Sequence, residues 1–64
     1  MFRVVETYDG CYVRDLTIDI PTVATAKQVL KLLIKDFRKQ LKADTKLTLE
    51  IIDKSTDRYI SYVL

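Results

Sequence analysis

The chain has 64 residues, of which 48% are hydrophobic and 31% charged, with a net charge of +2. A chain this short is one domain and buries only about 60% of the surface that its unfolded form exposes. The balance of apolar and charged residues excludes a disordered segment, and no apolar run is long enough for a transmembrane helix.

Phe2 to Thr7 is rich in β-formers and predicts a first strand. Cys11 to Ile20 alternates: Leu16, Ile18 and Ile20 point one way, and Asp15, Thr17 and Asp19 the other. Asp9-Gly10 between the two runs is a strong hairpin signal. A two-residue loop there would set Phe2 opposite Thr17 and Val4 opposite Asp15. A three-residue loop, Tyr8-Asp9-Gly10 with a bulge, sets Phe2 opposite Leu16 and Arg3 opposite Asp15. The second register joins apolar residues and opposite charges, so it is the one expected, with Val5 and Val13 facing each other on the outer side.

Pro21 ends the second strand. Thr25-Ala26-Lys27-Gln28 reads as a capping box with Thr25 as N-cap. From there Ala26, Leu30, Leu33, Phe37 and Leu41 form one helical stripe, flanked by Val29 and Ile34. Leu32 falls outside the stripe. The helix is expected to end near Ala43-Asp44. Leu47, Leu49 and Ile51 alternate with Thr48, Glu50 and Ile52 in a third strand. Residues 53–57 form a turn, and Tyr59 to Leu64 a fourth strand. Strands one and four are the less polar on both faces and should be central. Strands two and three carry outer charges, as edges do. The expected fold is therefore α+β: a ββαββ chain with a four-stranded mixed sheet of order 2-1-4-3 and one helix across one face.

The net charge conceals a polarity. Residues 25–43 hold six cations and one acid, Asp36, while the rest of the chain holds five cations and eight acids. Lys27, Lys31, Lys35, Arg38, Lys39 and Lys42 fall on one helix face, away from the apolar stripe. Four pairs among them are i,i+4 neighbours, and each like-charged pair costs roughly 0.2–0.5 kcal/mol. A helix face that repels itself is a candidate for meeting something negative. The alternative is a solvated outer face, since lysine and arginine are good helix formers.

The arrangement resembles the β-grasp fold. In length and element order it looks like the immunoglobulin-binding domains of proteins G and L. The stretch from Asp9-Gly10 through Arg14 and Thr25-Ala26-Lys27-Gln28-Val29-Leu30 to Leu33 and Phe37 resembles the first half of Ras-association and ubiquitin-like domains. The resemblance implies a non-enzymatic protein-binding scaffold.

Little in the sequence points to catalysis. Histidine, the commonest acid–base group near neutral pH, is absent. The single Cys11 can form no internal disulfide and has no partner motif. No cluster has metal-ligand spacing, no acidic loop matches a calcium pattern, and there is no glycine-rich phosphate loop. Cofactor, metal and small-molecule substrate are therefore not expected. No secretory signal is visible, so a cytoplasmic location is expected.

The expected function is a small module that docks a protein with an acidic surface, through the basic helix face, an edge strand, or both. The rival is a nonspecific nucleic-acid binder that lays the six cations along phosphates. No aromatic residue interleaves those cations to stack on bases. Membrane insertion is not expected, because the helix needs its apolar face for the core. A designed or excised scaffold without a partner is the third alternative. The open sheet face, with Val5, Val13 and Ile52, is a second candidate surface.

Overall fold

Two consecutive residues with positive φ, Asp9 (53°) and Gly10 (79°), reverse the chain between β1 (Phe2–Tyr8) and β2 (Cys11–Asp15). That pair of angles is the two-residue hairpin turn whose twist suits the flanking strands. Tyr8 pairs with Cys11 and Thr7 with Tyr12, so the three-residue loop is not formed. The bulge lies further along. Glu6 pairs with Arg14, which leaves Val13 as the extra residue, and Val5 then stands opposite Asp15. Val5 and Val13 therefore do not face each other.

This computed structural model describes residues 1–60. The second strand is shorter than its alternation suggests. It stops at Asp15, and residues 16–19 bulge away before Ile20 returns to bridge Phe2. The backbone of β1 stays satisfied across this gap. The Leu16 N–H donates to the Val4 carbonyl at 2.8 Å, and the Val4 N–H donates to Thr17 Oγ1 at 3.1 Å. Phe2 and Ile20 exchange two backbone bonds of 2.8 and 2.7 Å. A threonine hydroxyl thus replaces a ladder partner, which an alternation count cannot register.

The helix begins one turn earlier than the capping box implies. Thr22 is the N-cap, and its Oγ1 accepts from the Thr25 N–H at 3.2 Å. α1 runs over Val23–Asp36, and α2 over Arg38–Ala43. Between them Phe37 takes φ −94° and ψ 11°, so the expected single helix is two segments meeting at that residue. The Phe37 N–H still bonds the Leu33 carbonyl, and the Phe37 carbonyl accepts from Leu41 N–H.

β3 (Leu47–Asp53) runs antiparallel along the whole of β1, from Tyr8 opposite Leu47 to Phe2 opposite Asp53. β4 (Arg58–Ile60) pairs with β3, also antiparallel. The order is β2-β1-β3-β4, not 2-1-4-3, and every strand pairing among the described residues is antiparallel rather than mixed. β3 takes the inner place because it is apolar on both faces where it matters. Leu49 and Ile51 are buried on the helix side and Ile52 on the other. Glu50, the charge that marked this strand as an edge, is half-buried opposite Val5. Of the expected fourth strand, residues 61–64 lie outside the described residues.

The main core lies between sheet and helices. Val4, Ile20, Ala26, Leu30, Leu49 and Ile51 are buried there, with Phe37 and Leu41 among those packed against them. The apolar helix stripe read from the sequence is thus the face that packs on the sheet.

Candidate functional site

The helix layer and the sheet handle charge differently. Three ion pairs lie on the sheet and its 16–19 loop. Arg3 reaches Asp15 at 2.7 Å and Asp19 at 2.5 Å, and Arg14 reaches Glu6 at 2.8 Å. The carboxyl groups of Asp15 and Asp19 are held below the usual aspartate range, first by their hydrogen bonds to Arg3.

Five of the six helix cations have no such compensation among the described residues. Lys31, Lys35, Arg38, Lys39 and Lys42 are all exposed, and none has an ion-pair or hydrogen-bond partner among the described residues. Lys27 differs. It is half-buried at the flank of the stripe and does take part in an interaction. The structure therefore places five of the six sequence-derived cations together on the solvent side of α1 and α2, with the sixth at their margin. Glu6, Asp15 and Asp19 neutralise Arg3 and Arg14 on the sheet side and do not reach the helix face. At i,i+4 spacing the lysines repel one another.

Leu32 is 62% exposed. Every other large apolar residue of the two helices is at least half-buried. It follows Lys31 on the outer side of α1, one helical row from the lysines. Its absence from the core stripe is the signal that marks it in the sequence.

The open sheet face is not the greasy patch that its sequence suggests. Val5 is 0% exposed, and Thr7 and Ile52 are buried too. In the ladder Val5 lies between Asp15 and Glu50, and Ile52 between Arg3 and Tyr59. Thr7 and Thr48 face each other and share a hydroxyl–hydroxyl hydrogen bond. Tyr12 Oη donates to Asp15 Oδ1 at 3.0 Å. Long polar and aromatic side chains thus flank the strand centre, and the apolar groups reaching solvent on or beside this face are Tyr12, Val13 and Tyr59. The β2 edge also carries the Val13 bulge, a feature that disfavours strand addition.

Among the described residues no cavity is present, and no three acidic or cysteine side chains gather as a metal site. Cys11 is exposed beside the hairpin turn. No helix among the described residues is long and apolar enough to cross a membrane. Comparisons with known protein families, curated proteins and solved structures find no match.

Proposed function

We propose that this protein is a small, non-enzymatic binding module that docks an acidic protein surface on the outer face of α1 and α2. One observation carries the reading. Five exposed cations without partners among the described residues share the outer side of α1 and α2 with the exposed Leu32 and with one acid, Asp36, while Glu6, Asp15 and Asp19 pair with arginines on the sheet. Phosphates would use the cations and leave Leu32 in water. A protein surface uses both, because carboxylates meet the lysines and an apolar side chain covers the leucine. The residue-type resemblance to β-grasp scaffolds points the same way. As fold analogy it adds little, and the strand order departs from the expected one.

The test uses fluorescently labelled poly-L-glutamate and a labelled DNA duplex, with anisotropy read at low and at physiological salt. Wild type should bind poly-L-glutamate, and Lys31→Glu with Lys35→Glu should abolish that binding while the far-UV spectrum stays unchanged. Unaltered binding by the double variant contradicts the reading. Tighter binding to the duplex than to poly-L-glutamate at physiological salt gives the surface to nucleic acid instead.

A further inference from the structure

The shape of this face narrows the kind of protein segment it accepts. It has no pocket among the described residues, so an extended peptide finds nowhere to seat alternate side chains. It is built from helices and offers no strand edge, so strand addition does not apply here. What it does present is ridges. Residues four apart on a helix form rows, and the rows of one helix settle into the grooves of another. On α1 the row Lys27-Lys31-Lys35 runs beside the row Gln28-Leu32-Asp36. The groove between them has cations along one wall and Leu32 midway along the other, with Asp36 closing that second wall at its C-terminal end, where the partner must offer something other than a carboxylate.

A lone exposed leucine is ordinary on a protein surface. This one stands beside a basic row whose members lie about 5–6 Å apart. A helix carrying carboxylates at three- and four-residue intervals repeats at the same spacing. An apolar residue between those carboxylates would fall on Leu32. Charge and apolar contact then come from one partner ridge.

Resting on the acidic-docking reading above, we infer that the segment recognised is an acidic amphipathic helix that seats one apolar side chain against Leu32, with carboxylates on Lys31 and Lys35. Such a segment need not be helical when free. It gains helix on binding as the lysines neutralise its self-repulsion.

The test uses a synthetic peptide with glutamates at three- and four-residue intervals around one central leucine. Its Leu→Ser counterpart and poly-L-glutamate of equal charge serve as references. Affinity is measured by titration calorimetry and helicity by circular dichroism, both at physiological salt. The leucine peptide should bind about tenfold more tightly than the serine peptide and gain helicity on binding. Leu32→Ala, an exposed substitution, should remove that discrimination. Equal affinity for all three ligands, abolished by Lys31→Glu with Lys35→Glu, overturns the amphipathic-helix inference and leaves acidic docking standing. Persistence of the discrimination in Leu32→Ala overturns it as well. Failure of every acidic ligand to bind removes both readings.

Discussion

Arg3 holds Asp15 although the ladder does not pair them. Asp15 stands opposite Val5, and Arg3 reaches it diagonally at 2.7 Å while also gripping Asp19. One guanidinium thereby ties the irregular 16–19 loop to β1, where the second strand has stopped. Exposed ion pairs contribute little one at a time, but this one organises a segment that lacks regular pairing.

That arrangement predicts a pH signature. Asp15 and Asp19 have their carboxyl pKa lowered in the folded protein, first by Arg3. Groups of this kind stabilise the fold above their ordinary pKa and lose the contribution as pH falls through the folded value. Arg3 stays charged throughout. The melting temperature of wild type should therefore exceed that of Arg3→Met near pH 7, and the gap should close below roughly pH 4. A gap that stays constant down to pH 2 would count against the pairing.

The helix start gives a second check. Thr22 Oγ1 accepts from the Thr25 N–H and donates to Thr25 Oγ1 at 2.9 Å. Thr22→Ala should cost about 1 kcal/mol in urea unfolding. Thr25→Ala, which leaves the Thr22 cap intact, should cost less. The reverse ranking would restore Thr25 as the cap.

Core and hinge can be separated by two truncations. Leu30 is buried between helix and sheet, so Leu30→Ala should cost about 2–5 kcal/mol. Phe37 is only partly buried, at the junction of α1 and α2, and Phe37→Ala should fall near about 3 kcal/mol. A domain of this length has on the order of 3–10 kcal/mol of total stability, so either variant should melt far below wild type. A fully stable Phe37→Ala protein would refute the helix phase.

Charge reversal on the helix should spare the fold. Lys31→Glu with Lys35→Glu turns the 27–31 and 35–39 neighbours from like to opposite charges and leaves 31–35 like-charged, each pair being worth roughly 0.2–0.5 kcal/mol. The double variant should melt at or above the wild-type temperature. A lower melting temperature would mean that these lysines have a structural role, which no ion pair among the described residues supplies.

The α+β class, the apolar helix stripe and the basic face were all legible in the sequence because each rests on a period. Ala26, Leu30, Leu33, Phe37 and Leu41 repeat at helical spacing and do pack on the sheet. Strand order was not legible in the same way. Glu50 made the third strand look like an edge, yet Ile51 and Ile52 are buried on opposite faces and carry it inward. The hairpin register is not legible from apolar matching, because the bulge lies outside the turn. It sits at Val13, where a local distortion leaves no mark on hydrophobic alternation. Apolar matching favoured the wrong loop, while the two positive φ values at Asp9-Gly10 met the turn's own demand. Leu32 was visible as an exception to the stripe, but its exposure could be measured only on the folded chain.

The most direct test of the helix face as the working surface is an amide NMR titration of wild type with poly-L-glutamate and with a DNA duplex, at low and at physiological salt. The account predicts shifts concentrated on residues 31–42 with poly-L-glutamate at low salt, weakening with salt as screening requires, and duplex-induced shifts no larger than these at physiological salt. Shifts confined to the sheet, or none with poly-L-glutamate at either salt, would contradict it.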